Sequence, residues 1–222
     1  EADPAGDVEG DDAVNKLVIL ARLAFGVWLE PASVERRPPA VDGPGRPGIT
    51  GVTVEEVAAA AAHGLVLKLI ATARRGPDGS IAASVVPTAV PATSPLGRTA
   101  GVLNRVEIDG EPVGRVAFSG PGAGSGPTSS AVLGDLLAVA RSDASTWAGL
   151  PPAIGPAIPA AVDDTPRRRF FASTLPEQLV RDQVEIEAAR AGGFIATAQP
   201  LDELRAGLAA AGVDATLYPI DD

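Results

Sequence analysis

The apolar positions of the chain change period several times, and each change marks an element. Leu17, Leu20, Ala21 and Ala24 recur at spacings of three and four, the pattern of an amphipathic helix. Asp11 or Asp12 is placed to cap it, and Phe25 or Gly26 to end it. Thr53-Val54-Glu55-Glu56 reads as a capping box, in which hydroxyl and carboxylate satisfy orphan amides reciprocally; an alanine-rich helix follows to a stop at Gly64. Leu65 to Ala73, rich in branched side chains, reads as a strand, with Ile81 to Val86 as its neighbour across a Gly76-Pro77-Asp78-Gly79 turn. Pro87, Pro91 and Pro95 are expected to hold the next stretch extended and unpaired. Val102 to Ile108 and Val113 to Phe118 flank Asp109-Gly110-Glu111-Pro112, where Asp-Gly is a hairpin signal. The second of these strands enters a glycine-rich segment, Gly120 to Pro127, and Thr128 opens a helix to about Arg141.

Two stretches lack any period. Pro31 to Pro47, dense in proline and glycine, reads as an exposed loop insertion, and Pro151 to Pro166 as a linker. Beyond it the pattern alternates strand (Arg168 to Thr174), helix (Pro176 to Ala191), strand (Gly193 to Ala198), helix (Leu201 to Ala211) and strand (Val213 to Ile220). The expected fold class is therefore α+β: a mixed β-sheet with helices packed on one face over residues 1–150, a linker over 151–166 and a small α/β appendage over 167–222.

Composition narrows the function classes. The chain has 222 residues and a formal net charge of -10, so nucleic acid and anionic membrane surfaces are disfavoured as partners. The longest apolar stretch, Val57 to Ala73, is interrupted by His63, Gly64 and Lys68, short of the ~20 clean residues a spanning helix needs. With no cysteine and one histidine, a metal site of the usual thiolate or imidazole kind is not expected. The start, Glu1-Ala2-Asp3-Pro4, in a chain without methionine or a signal-peptide pattern, reads as a fragment or a processed product. Only two of the 18 basic residues are lysines, Lys16 and Lys68. Lysine is the base whose proton affinity burial can lower into a catalytic range, which singles these two out.

Four features carry candidate chemistry. Acidic residues crowd the first twelve positions, which alone is a favourable entry to the positive end of a helix. Asp12 and Lys16 stand four apart and share a helix face: either a surface ion pair worth roughly 0.3 to 0.5 kcal/mol, or an ammonium held and oriented at a site. The Gly120 to Pro127 loop before a helix suits either close backbone approach to an anion or a tight turn, but lacks a dinucleotide or phosphate-loop register. His63, at a helix end before Gly64, is expected to satisfy the last carbonyls there, and Arg167, Arg168 and Arg169 to form a solvated edge.

Taken together, Glu-Ala-Asp-Pro-x-x-Asp-Val-x-Gly-x-Asp-Ala-x-x-Lys-Leu-x-Ile-Leu-Ala, Glu1 to Ala21, resembles the substrate-binding signature of homoserine dehydrogenases. The resemblance continues through Gly48-Ile49-Thr50, Lys68-Leu69-Ile70-Ala71, Val86-Pro87-Thr88, Gly120 to Gly124 and Pro127 to Asp135, covering residues 1 to about 150. It implies an NADP- or NAD-dependent interconversion of aspartate 4-semialdehyde and homoserine, on the route to threonine, methionine and isoleucine, in a cytoplasmic homodimer. By the same resemblance, Glu1, Asp7 and Asp12 match substrate-binding carboxylates, and Lys16, with Asp12, matches the catalytic proton-transfer position. Gly122, Ala123, Gly124 and Thr128 match the loop and helix start that contact the cofactor. The resemblance also implies that most cofactor contacts belong to an N-terminal nucleotide-binding half not represented here, and that the tail is a divergent ACT-like module. In that module Pro176 and Leu179 are spaced as in a characteristic turn, but only one strand fits between its helices. The catalytic reading expects the Lys16 ammonium near Glu1 and a cavity. The competing reading is a non-catalytic binding or assembly module that retains the fold.

Overall fold

A computed structural model describes residues 4–141, 149–150, 156–162, 167–173, 184–190 and 192–221. The chain divides into two compact units, residues 1–92 with 153–222, and residues 93–152. The larger unit opens with α1 (Ala5–Val8), α2 (Asp11–Phe25), the short pair β1 (Pro39–Ala40) and β2 (Gly43–Pro44), α3 (Val54–Ala62), β3 (Leu65–Arg75) and β4 (Ile81–Pro91). The smaller unit holds α4 (Pro95–Arg98), β5 (Leu103–Gly110), β6 (Gly114–Pro121) and α5 (Ser125–Arg141). The chain then returns to the larger unit with β7 (Arg168–Ala172), β8 (Ile186–Arg190), β9 (Gly193–Gln199), α6 (Leu201–Ala210) and β10 (Leu217–Pro219). The α+β class is borne out, with the named strands distributed among small sheets whose pairings are all antiparallel.

In the larger unit, Val14, Leu17, Val18 and Ala21 of α2 pack with Ile81, Ala83 and Val85 of β4 and with Leu69 and Ala73 of β3. Ala59 and Ala60 of α3 join Leu65, Leu67 and Ala89. These strand positions are all odd-numbered and lie opposite one another in the β3–β4 register, so both helices cover one face of the ribbon. Their ends follow from local chemistry. The capping box forms, Glu56 N–H donating to Thr53 Oγ1 at 3.2 Å and Thr53 N–H to Glu56 Oε2 at 2.8 Å. At the start of α2 the expectation is corrected. Gly10, in the left-handed region at φ 88°, is the cap, and Asp11 and Asp12 occupy the first turn.

Pro87 and Pro91 do not end the pairing, since β4 continues to a Pro91–Leu65 partnership. Odd-numbered residues of β4 direct their backbone groups to the outer edge. There Val85 N–H donates to Glu35 O, and the carbonyls of Ile81, Ala83 and Ala89 accept from Ala161, Glu35 and Asp221. The proline nitrogens share that parity, so the β3 ladder loses no donor.

The tail forms a four-stranded sheet in the order β10-β7-β9-β8. Residues 186–190 are strand where helix was expected, so two strands, β8 and β9, pair antiparallel ahead of α6 where one was expected. The Pro176 and Leu179 positions lie outside the described residues. Arg169 is not merely a solvated edge: it makes a two-pronged ion pair with Glu187 at 2.8 and 2.9 Å, while Arg167 donates to Ala198 O at 2.9 Å. Nor is Pro31 to Pro47 an exposed loop throughout. Val34 is buried, and Val41 packs against the tail-sheet core.

In the smaller unit the β5–β6 hairpin turns at residues 111–113 instead of at Asp109-Gly110, because Asp109 is paired opposite Arg115 and Gly114, at φ 75°, supplies the left-handed position. α5 begins at Ser125, earlier than Thr128, with Pro127 tolerated in its first turn.

Candidate active site

Three of the four substrate positions suggested by the sequence are described, and they lie on one corner. α1 is a single turn carrying Asp7, with Asp7 and Val8 amides both donating to Pro4 O at 3.0 Å. Gly10 then reverses the chain into α2. A side chain at Gly10 would have its Cβ 3.2 Å from Val85 Cγ1, so both the positive φ and the close approach to the sheet favour glycine. One helical turn inside α2, Lys16 Nζ stands 2.5 Å from Asp12 Oδ2. Glu1 lies outside the described residues.

The pair is open to water: the Lys16 side chain is 65% exposed and that of Asp12 52%. The described residues do not enclose the ammonium. In a high-dielectric setting the pair is weak and offers little stabilisation to a developing oxyanion. What surrounds it is informative. The sequence pattern placed Leu20 and Ala24 in the buried stripe of α2, whereas Ile19, Leu20, Leu23 and Ala24 are exposed. Asp12, Lys16, Ile19 and Leu23 follow helical spacing along one face, so the ion pair opens onto an uncovered apolar strip. Such strips mark surfaces that meet another molecule or domain.

The glycine-loop positions belong to the smaller unit. Gly122 donates its N–H to Val102 O at 2.7 Å, and a Cβ on it would fall 1.8 Å from Asn104 Nδ2, so its glycine answers first to packing. Gly124 differs. It has φ 113°, and a Cβ there would meet only Pro127 Cδ, at 3.7 Å. Its carbonyl accepts from Thr128 N–H at 3.1 Å, fixing the loop against the first turn of α5. Gly122, Ala123, Gly124 and Thr128 are all exposed beside the positive end of that helix, an arrangement open to backbone approach by an anionic or polar group.

The sequence profile of the homoserine dehydrogenase family matches residues 1–137. This chain belongs to the homoserine dehydrogenase family. Among curated relatives, the homoserine dehydrogenase of Bacillus subtilis is 41% identical over 143 residues, 64% of this chain and 30% of the relative. That of Mycobacterium leprae is 40% identical over 146 residues, 64% of this chain and 31% of the relative. The chain thus spans about a third of the length of the curated homoserine dehydrogenases it matches. A crystal structure of a homoserine dehydrogenase from Thiobacillus denitrificans superposes with a TM-score of 0.71 at 26% identity, covering 100% of this chain and 55% of the other. One from S. aureus at pH 6.5 gives 0.69 at 27%, covering 100% and 55%. The structural likeness extends over the tail, beyond the residues the family profile matches.

One contributor to this corner escaped the residue-level reading. Arg36 pairs with Asp11, next to Asp12. Nothing local signals a partner 25 residues away in a proline-rich stretch.

Proposed function

We propose that this chain is the substrate-binding half of a homoserine dehydrogenase, interconverting aspartate 4-semialdehyde and homoserine in the biosynthesis of threonine, methionine and isoleucine. The supporting observation is the 2.5 Å Asp12–Lys16 pair, formed on one helix face at the positions where the family signature puts its acid and its lysine. In the reducing direction the carbonyl carbon gains a hydride and the oxygen a proton. Lys16 Nζ is the donor of that proton and stabilises the oxygen as negative charge builds. Asp12 holds the ammonium in place. Asp7, with Glu1, receives the substrate ammonium, the natural partner of a carboxylate cluster.

A bound nicotinamide cofactor, NADP or NAD, supplies the hydride. Gly122, Ala123, Gly124 and Thr128 fit a contact with it, since Gly124 leaves its surroundings open beside a helix start. The remaining contacts are assigned to a nucleotide-binding half. Water must be excluded for the Lys16 charge to act at full strength, and the exposed strip of Ile19, Leu20 and Leu23 is suited to burial in a homodimer or against that half. No helix among the described residues is long and apolar enough to cross a membrane, and the biosynthetic role fits the cytoplasm.

Lys16→Ala in the complete enzyme, assayed by NADPH oxidation with aspartate semialdehyde, is expected to lower kcat by roughly 100-fold or more, the usual contribution of a positioned proton donor. The exposure of Lys16 also favours a second reading, a non-catalytic assembly module. Unchanged turnover in Lys16→Ala would select it.

A further inference from the structure

Residues 35–49 run between two parts of the larger unit and are bonded at both ends and along the way. At the near end Arg36 pairs with Asp11 in the first turn of α2. Gly48 N–H donates to Arg36 O and Ile49 N–H donates to Val8 O, each at 2.8 Å. Gly48 has φ 56°, and a Cβ there would lie 2.0 Å from Val8 O and 2.7 Å from two backbone atoms of Glu9. Only glycine lets this segment lie so close to the α1–α2 corner. Along the way Glu35 is stitched to β4, its amide donating to Ala83 O at 3.4 Å and its carbonyl accepting from Val85 N–H at 2.7 Å.

The far end is held by the tail. Val41 N–H donates to Ala215 O at 3.1 Å, Ala40 bridges antiparallel to Thr216, and Arg205 Nε of α6 donates to Ala40 O at 3.0 Å. The Val41 side chain packs on the core formed by Phe170, Leu204, Leu208 and Leu217. The gripped corner carries the site. Asp7 precedes Val8, and Asp12 follows Asp11. α1 has only four residues, too few to hold a helix by its own hydrogen bonds, so the corner depends on what is bonded to it.

We propose that residues 35–49 are a strap through which the tail sheet fixes the α1–α2 corner, making Gly48 and Arg36 positioning residues for the carboxylates that receive the amino-acid aldehyde. The assignment rests on the substrate-binding reading of Asp7 and Asp12. Its reach is physical: a carboxylate displaced by an ångström loses the substrate ammonium, whereas the positions matched to the cofactor belong to the smaller unit or to the nucleotide-binding half and are not part of the strap.

The test uses the complete enzyme with Val41→Asp, which loosens the anchor farthest from the corner along the strap, and with Arg36→Ala and Arg36→Lys at the corner. Val41→Asp is expected to speed hydrogen exchange of amides 5–16 and to raise KM for the aldehyde on the order of tenfold, with KM for the cofactor within about twofold of wild type. Arg36→Ala should reproduce the split, and Arg36→Lys should recover most of it. Unchanged exchange at residues 5–16, or aldehyde and cofactor KM rising together, overturns the strap. If Val41→Asp does not fold, Arg205→Ala removes the bond to Ala40 and carries the same readouts. The exchange measurement needs no turnover, so it judges the strap even if the wild-type enzyme fails to reduce aspartate semialdehyde, the result that defeats the functional reading instead.

Discussion

Tyr218 is fully buried at the seam between the tail sheet and α3, its ring 6.1 Å from Phe171, which in turn lies 5.5 Å from His63. Burial pushes its phenol pKa well above the ordinary tyrosine value, and the Glu56 carboxylate adds to the shift, so the hydroxyl stays protonated at physiological pH. Among the described residues that hydroxyl has no hydrogen-bond partner of good geometry. Deleting it leaves no orphaned group, so Tyr218→Phe is expected to change the unfolding free energy by less than about 1 kcal/mol, read by chemical denaturation. A loss of ~2 kcal/mol or more would reveal a hidden partner. His63 was legible from sequence because its bond is local: Nδ1 lies 2.9 Å from Ala59 O, one turn back. Lys16 and Asp12 were legible for the same reason. Whether water surrounds them was not, because exposure depends on what packs against a helix face and not on spacing along it.

Among elements, the β5–β6 hairpin shows register overriding a turn motif. Asp109 and Arg115 face each other across the strands and form a two-pronged ion pair at 3.0 and 3.2 Å. The guanidinium holds the Asp109 carboxyl below its ordinary value of 3.8. A depressed folded-state value contributes stability above the ordinary carboxylate pKa, lost as pH falls through the lower folded-state value. The hairpin is therefore expected to keep this support at neutral pH and to loosen only below about pH 4, with the Asp109 carboxyl titrating below the ordinary carboxylate value in an NMR pH series. An Asp109 titration at or above the ordinary value would remove the pair from the account. The α3 capping box and the β3 and β4 cores followed the sequence pattern because their signals lie within a few residues. The proline effect in β4 did not, since the side of a strand that faces its partner is set only once the sheet forms.

For the whole molecule, the two units do not follow a contiguous cut of the chain. Phe171, Ile195, Tyr218 and Ile220 from the tail share one core with Ala59, Ala60, Leu65 and Ala89. Arg190 reaches back to Ala62 O at 3.1 Å. The smaller unit exposes Phe118 and, on α5, Val132, Leu133, Leu136 and Val139, an apolar surface of the kind that another domain or subunit covers. Because the matched cofactor positions are a loop and one helix start, the 222-residue chain alone is expected to bind NADPH more weakly than the micromolar range, measured by fluorescence titration. Micromolar binding would show that these residues form a cofactor site by themselves.

The sequence by itself determined the α3 capping box, the cores of α2, α3 and α5, the principal strands, the face on which Asp12 and Lys16 meet, and the family, because each is written in spacings of a few residues or in an ordered motif. Only the tertiary structure decided that the proline-rich stretch ties the tail to the acidic corner, that β8 is a strand, and that the Lys16 face stands open. Those outcomes arise from contacts between residues far apart in the chain, where local propensity is outweighed by burial and by backbone groups that must find partners.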